Sequence, residues 1–263
     1  MQTFDLTGKT ALVTGGGRGI GSGISEALVE AGAAVVITDI EEEGPNRVAR
    51  KLSERGGRVL PLQLDITEEM NFQSAIEKGH KEFGKIDILV NNAGIVEIED
   101  ALKISMKKWD KIFNVNVRAL FRSSQLFAHY LIQQKTGGKI INIASNAGKI
   151  SYPGQTHYSA SKAAVINITQ NLAKEFAKYY INVNAICPGA VDTEMLRQCM
   201  VQIVEESGGK ITIEDLENQW APPQLGRLIK PIEVGRVVVF LSSEASEIIR
   251  GQSINVDAGV TSW

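Results

Sequence analysis

The sequence predicts an α/β fold: one domain, residues 1–263, built as a doubly wound parallel sheet of about seven strands with helices on both faces. Three observations predict it. Short β-branched runs alternate with stretches of helical periodicity, a glycine-rich turn closes the first run, and no Pro/Gly/Ser-rich linker divides the 263 residues. Strands alternating with amphipathic helices form βαβ units, whose crossovers make neighbouring strands parallel.

The runs are Ala11 to Val13, Val35 to Ile37, Val59 to Leu64, Ile86 to Val90, Ile140 to Ile143, Ile181 to Ile186 and Ile254 to Val256. In the first crossover Ile20, Ile24, Ala27, Leu28 and Ala31 fall at helical spacing, and Gly32 stands where a C′ residue ends a helix. Pro61 lies inside the third run. Proline cannot donate to a ladder, so this strand belongs at an edge. The Rossmann-type order 3-2-1-4-5-6 places the third strand there. The region from Glu205 to Pro223, with Ser207-Gly208-Gly209 and Pro222-Pro223, reads as an irregular insertion or lid, and residues 192–223, with Met195, Leu196, Met200 and Trp220, as the substrate lid.

Composition excludes several classes of function. There are 28 Lys+Arg against 30 Asp+Glu, a net charge of −2, which supplies no basic footprint for nucleic acid and no polybasic attraction to a membrane. No apolar run approaches the roughly 18 residues of a membrane span, and Met1 to Lys9 lacks the pattern of a signal peptide, so a cytoplasmic protein is expected. Two cysteines, Cys187 and Cys199, make neither a disulfide scaffold nor a zinc site, and no metal is expected.

The turn after the first run is Thr14-Gly15-Gly16-Gly17-Arg18-Gly19-Ile20-Gly21. Glycines are needed where the backbone turns tightly and where a pyrophosphate must approach the amides at a helix N-terminus. The spacing Gly15-x-x-x-Gly19-x-Gly21 is a variant of the dinucleotide fingerprint, one residue longer at its front. Asp39 closes the second strand, where a carboxylate accepts hydrogen bonds from the adenosine ribose. Glu41, Glu42 and Glu43 follow, and their charge opposes a 2′-phosphate, so NAD is favoured over NADP. Arg18 dissents: it can pair with a 2′-phosphate, or equally with Asp39 or the pyrophosphate.

Tyr158 and Lys162 stand four residues apart and share one helix face, at the start of the helix after the fifth strand. Ser145 falls at the C-terminal end of that strand, where doubly wound sheets bind ligands. An ammonium beside a phenol favours the phenolate, which with a bound cationic nicotinamide makes tyrosine a usable acid/base.

With these residues in place the chain resembles the short-chain dehydrogenase/reductase superfamily along nearly its whole length. The motifs run in order: Thr14 to Gly21, Asp65-Ile66, Asn91-Asn92-Ala93-Gly94, Asn116, Ser145, Tyr158-x-x-x-Lys162 and Pro188-Gly189-x-x-x-Thr193. The resemblance implies that Gly15, Gly19 and Gly21, with Ile20, hold the pyrophosphate, Asp39 the ribose, and Asp65 and Ile66 the adenine edge. Asn92, Ala93 and Gly94 would form the floor, and Pro188, Val191 and Thr193 the nicotinamide carboxamide site. Lys162 would hold the nicotinamide ribose, and Asn116 a water relay toward it. It further implies hydride transfer between NAD and a CH–OH group, with Tyr158 as general acid/base and Ser145 on the reacting oxygen.

Around this set Asn146, Glu97, Lys149, Gln155 and His157 offer polar groups suited to a small hydroxylated substrate. His157 is either a partly exposed loop residue or a substrate ligand, and Glu97 and Lys149 carry the same two readings. An amide after the serine resembles the polyol, sugar and diol branch of the superfamily. A 3-oxoacyl thioester reductase shares the catalytic set, and a non-catalytic NAD-sensing protein shares the fold. The stretches from Lys107 to Gln134 and from Ser159 to Tyr179 predict long helices. On the first, Phe113, Leu120, Phe121, Leu126 and Phe127 exceed one sheet-facing stripe, which fits a homo-oligomer, dimer or tetramer.

Overall fold

The computed structural model describes residues 4–262. Its seven strands are β1 (Thr10–Thr14), β2 (Ala34–Asp39), β3 (Val59–Gln63), β4 (Ile88–Asn91), β5 (Gly138–Ile143), β6 (Ile181–Pro188) and β7 (Ser253–Val256). They form one sheet in the order β3-β2-β1-β4-β5-β6-β7, every pair parallel. Pro61 lies on the edge strand, in register with Ile37 of β2 on the side where β3 has its one neighbour.

The runs are mostly apolar because both sheet faces are covered, and the buried Asn142, Asn182 and Asn184 of β5 and β6 are hydrogen-bonded. Alternate residues feed two cores. Ala11, Val13, Val35, Ile37, Ile88 and Val90 face α1 (Gly19–Glu30), α2 (Glu43–Ser53) and α9 (Pro231–Ser242), where Ile24, Leu28, Leu52, Val234 and Val238 meet them. Leu12, Val36, Leu89 and Ile140 face the other way, onto Phe72 of α3 (Glu69–Phe83), Phe127 and Leu131 of α5 (Leu120–Gln133), and Leu172 of α6 (Thr156–Phe176).

The first predicted long helix is continuous but not uniform. α4 (Met106–Phe113) runs into a π-helical segment, Asn114–Ala119, before α5. On it Leu120, Leu126 and Phe127 are buried, Phe113 stacks on Trp109, and Phe121 is left exposed. Two helices lie in residues 192–223: α7 (Glu194–Glu206) is capped by Thr193, and α8 (Ile213–Trp220), inside the stretch expected to be irregular, opens with a capping box of Thr212 and Asp215. Threonine caps satisfy the orphan amides of a first turn, and the sequence reading gave their signal too little weight beside the glycines. No helix of the described residues is long and apolar enough to cross a membrane.

Candidate active site

The strand order reverses between β1 and β4, and a crevice opens there at the C-terminal ends of the strands. The glycine turn leaves β1 on one side of it. Gly15 and Gly19 adopt φ of +61° and +51°, a left-handed backbone that glycine takes without cost. A Cβ on Gly21 would lie 2.0 Å from the Gly15 carbonyl oxygen, so the turn closes only without one. Thr14 at the end of β1 and Asn92 just after β4 brace it. The Thr14 hydroxyl accepts from the amides of Asn92 and Ala93 at 3.0 and 3.1 Å, while Asn92 Nδ2 donates to the carbonyls of Thr14 and Gly15, both at 2.9 Å.

This cradle fits a dinucleotide. Arg18 occupies the N-cap of α1 without a side-chain cap, and the first turn carries no acidic residue. The first-turn amides of Gly19, Ile20 and Gly21 therefore present their partial positive charge to an anion. Asp39 is buried at the end of β2, its carboxylate accepting from the amides of Gly17 at 3.1 Å and Ile40 at 2.9 Å. Arg18 is exposed and does not pair with Asp39; Arg47 is the cation bound to the turn, donating to the Gly17 carbonyl at 3.2 Å. Asp65 folds back on Thr67, accepting from its amide and hydroxyl, and sets Ile66 partly buried beside it.

On the far side of the crevice, Pro188 ends β6. Val191 is buried and bridges to Ile229, and Thr193 caps α7 by accepting from the Leu196 amide at 3.2 Å. A Cβ on Gly19 would stand 3.3 Å from Thr193 Cγ2, so the two loops face one another across the cleft.

Tyr158 and Lys162 lie one turn apart on α6, with the Lys162 ammonium 5.7 Å from the Tyr158 ring centroid. The Lys162 ammonium donates to the Ile143 carbonyl at the end of β5, at 2.9 Å. Burial pushes the Tyr158 phenol up to about 12, opposed by the hydroxyl of Ser145. Burial likewise brings the Lys162 ammonium down to about 8. In the protein alone desolvation dominates the phenol, while the expected lowering includes the charge of a bound nicotinamide.

Asn116 sits in the π-helical segment, buried. Its side chain closes a two-way bond with Ile95, accepting from the amide and donating to the carbonyl at 2.9 Å each, and also donates to Ser161 Oγ at 3.1 Å. Asn116 Oδ1 and Lys162 Nζ flank Gly94, 3.3 and 3.5 Å from where its Cβ would be.

The residues expected to face substrate have these partners in the protein. Asn146 is buried and donates through Nδ2 to the Tyr152 hydroxyl at 3.0 Å, a partner the sequence reading missed. Glu97 pairs with Lys111 at 2.8 Å, and Lys149 donates to the Ser253 carbonyl at 2.8 Å. His157 is wholly buried on the first turn of α6 and is no exposed loop residue. Helix α7 reaches this region, where Gln202 donates to the Ile98 carbonyl at 2.8 Å.

Comparison with known proteins agrees with this geometry. The profile of the short chain dehydrogenase family matches residues 9–202. The chain is 40% identical over 262 residues to a 2-dehydro-3-deoxy-D-gluconate 5-dehydrogenase of Dickeya dadantii, covering 98% of each chain. It is 37% identical over 257 residues to a 3-oxoacyl-(acyl-carrier-protein) reductase of Thermotoga maritima, covering 97% of this chain and 98% of that one. Among solved structures, a 7α-hydroxysteroid dehydrogenase complexed with NADH superposes with a TM-score of 0.87 at 32% identity, covering 98% of this chain and 96% of that one.

Proposed function

The chain belongs to the short-chain dehydrogenase family, an oxidoreductase of hydroxyl and keto substrates that takes a nicotinamide cofactor, and on that premise we propose that it oxidises a small polar secondary alcohol with NAD, Tyr158 serving as the general acid/base. The observation that carries this is the pairing of a partly buried Tyr158 with the buried Lys162 beside Ser145.

NAD supplies the hydride acceptor when bound. Gly15, Gly19, Ile20 and Gly21 hold its pyrophosphate, Asp39 its adenosine ribose, Asp65 and Ile66 the adenine edge, and Lys162 the nicotinamide ribose. Asn92, Ala93 and Gly94 form the floor, while Pro188, Val191 and Thr193 receive the carboxamide. The Asp39 carboxylate, with Glu41 to Glu43 exposed beyond it, repels a 2′-phosphate and selects NAD over NADP.

In oxidation Tyr158 takes the hydroxyl proton while Ser145 holds the same oxygen, and in reduction Tyr158 gives the proton back. Burial holds the phenol at about 12 in the protein alone, and a cationic nicotinamide bound beside it would favour the phenolate. Asn116 orders the water relay toward Lys162.

Asn146 contacts substrate through Tyr152: with its oxygen accepting from Asn146, the Tyr152 hydroxyl proton is directed to a substrate oxygen. That suits a polyol or sugar derivative, and the 40% identity to a sugar-acid dehydrogenase supports it. The likeness to a 3-oxoacyl reductase favours a second reading, reduction of an acyl thioester. An assay of NAD and NADP against polyols, sugar acids and a 3-oxoacyl thioester decides between them. Oxidation of hydroxylated substrates with NAD supports the first reading, and NADPH-linked thioester reduction alone overturns it. The exposed Phe121 and the groove along α4, lined by Phe113 and Val117, fit a homo-oligomeric contact, and the protein is expected to act in the cytoplasm.

A further inference from the structure

The loop that leaves β4 runs beside the start of α6, and its contacts fix its course. Gly94 lies between Asn116 and Lys162, and Ile95 is bound through both its amide and its carbonyl by Asn116. Four residues on, the Glu99 amide donates to the Gly154 carbonyl at 2.8 Å, and a Cβ on Gly154 would stand 3.0 Å from Ile98 Cγ2. Gly154, Tyr158 and Lys162 follow one another at intervals of four, so the loop meets Lys162 at one end and Gly154 at the other, with Tyr158 between them. On the reading above Lys162 holds the nicotinamide ribose, which puts the Ile98–Glu99 peptide past the phenol, at the substrate end.

Helix α7 reaches the same peptide from the opposite wall. Thr193, its cap, faces Gly19 across the cleft. Nine residues on, about 14 Å along a helix, Gln202 donates to the Ile98 carbonyl at 2.8 Å. The Ile98 carbonyl and the Glu99 amide belong to one trans peptide group and point opposite ways, so α7 and the loop before α6 grip that group from its two sides. Engaging both ends of a peptide polarises it and strengthens each bond. The tie is backed as well: the second hydrogen of the Gln202 amide goes to the Glu206 carboxylate at 2.7 Å, and Lys108 of α4 holds Glu99 at 2.8 Å. Between the ends of α7, Met200 is wholly buried and Leu196 and Cys199 are half-buried, and Cys199 is among the groups that act on the Tyr158 phenol.

We propose that Gln202 is a specificity-determining residue: by holding α7 on the Ile98–Glu99 peptide it closes the substrate end of the crevice, so that the site takes a short hydroxylated substrate and shuts out one that carries a chain. This rests on the alcohol-oxidising reading above and narrows its substrate class. The closing bond is made by a side chain to a backbone group, so cutting it leaves Tyr158, Ser145, Asn146 and Tyr152 with the partners they have.

The test compares wild type with Gln202→Leu, which fills similar space without a donor, and Gln202→Lys, whose ammonium can again donate to the Ile98 carbonyl and pair with Glu206. The readout is the ratio of kcat/KM for butane-1,2-diol to that for octane-1,2-diol with NAD, and the same short-to-long ratio for 3-oxobutanoyl and 3-oxooctanoyl thioesters with NADH and NADPH. Wild type is expected to prefer the short diol by about tenfold or more, the scale on which a pocket rejects a misfitting chain. Gln202→Leu is expected to shrink that preference by about three- to tenfold, the worth of one hydrogen bond, and Gln202→Lys to return it. Hydrogen exchange over residues 95–101 is expected to quicken in Gln202→Leu alone. A purely structural role would lower both diols together and leave the ratio as it was. A wild type that takes long and short chains alike, a ratio that Gln202→Leu does not move, or equal exchange in all three proteins overturns the proposal. A wild type that turns over the thioesters alone overturns the alcohol reading, while their chain-length ratio still judges Gln202. Silence of wild type on both series overturns the alcohol reading and the specificity role together.

Discussion

The Lys162 ammonium stands 5.7 Å from the centre of the Tyr158 ring while it donates to the Ile143 carbonyl at 2.9 Å, so one lysine is fixed by the sheet and aimed at the phenol together. Neither contact is free of cost, because both groups are buried against their charged forms.

The phenol gives the first prediction. Tyr158→Phe removes the proton carrier and leaves the glycine turn and Asp39 untouched, so turnover is expected to fall by about 10²–10⁴-fold with NADH affinity near wild type. Initial rates and a fluorescence titration measure the two. Oxidation needs the phenolate and reduction the phenol, so the oxidation rate climbs as pH rises toward the phenol's pKa and the reduction rate falls. Equal slopes in both directions would remove Tyr158 from the role.

The lysine gives a stability prediction with a definite sign. Its folded pKa is about 8 against 10.5 for a free lysine, a burial cost of about 3 kcal/mol that is fully present below pH 8. Between those two values the unfolded chain keeps a proton that the folded chain has shed, so stability gains with rising pH. Urea unfolding at pH 7 and pH 10 is expected to show wild type gaining roughly 2–3 kcal/mol relative to Lys162→Met, the pH-independent loss of the Ile143 bond cancelling in the comparison. A difference that does not change with pH would mean the lysine is solvated.

Asp39 decides the cofactor. Asp39→Ser removes the charge beside the ribose, and kcat/KM for NAD relative to NADP is expected to drop at least tenfold, about 1.4 kcal/mol. Part of the lost NAD affinity will come from the Gly17 amide, which that carboxylate also holds. The ratio is therefore the readout, and an unchanged ratio assigns the discrimination elsewhere.

How much was legible beforehand follows from which interactions are local. A strand buried on both faces is apolar along most of its length, so Val35 to Ile37 and, despite Asn142, Ile140 to Ile143 announce themselves, and Pro61 marks the edge by its missing donor. The cradle and the Tyr158–Lys162 spacing are likewise local. The Asn146–Tyr152 bond, the burial of His157 and the Glu97–Lys111 pair depend on loops meeting in space, and no periodicity reports that. The rise of the phenol in the protein alone was not foreseen for the same reason: proximity to an ammonium is visible in a spacing of four, while desolvation belongs to the assembled cleft.

Tyr152 was among the residues not foreseen, and it is testable. Tyr152→Phe leaves Asn146 Nδ2 buried without its acceptor, which is expected to cost about 1–3 kcal/mol. KM for a hydroxylated substrate is expected to rise while KM for NAD stays put. Unchanged substrate KM would confine the pair to holding the loop.

The last prediction concerns how α1 is held with its N-terminus at the cleft. Gly23 of α1 and Gly235 of α9 pass so closely that a Cβ on Gly23 would lie 2.4 Å from the Pro231 carbonyl carbon, and one on Gly235 would lie 2.5 Å from the Gly23 oxygen. These neighbours are main-chain atoms at a helix start and cannot swing aside. Alanine at Gly23 would improve helix propensity by about 1 kcal/mol in isolation. Here the overpacking cost, about 1–3 kcal/mol, should exceed that gain and push the helices apart. Because the same displacement moves the amides of Gly19 to Gly21, KM for NAD should rise together with the fall in urea midpoint. Glu30→Ala, at the exposed end of the same helix, should change neither. A Gly23→Ala protein as stable as wild type would mean that α1 and α9 sit farther apart than this packing requires.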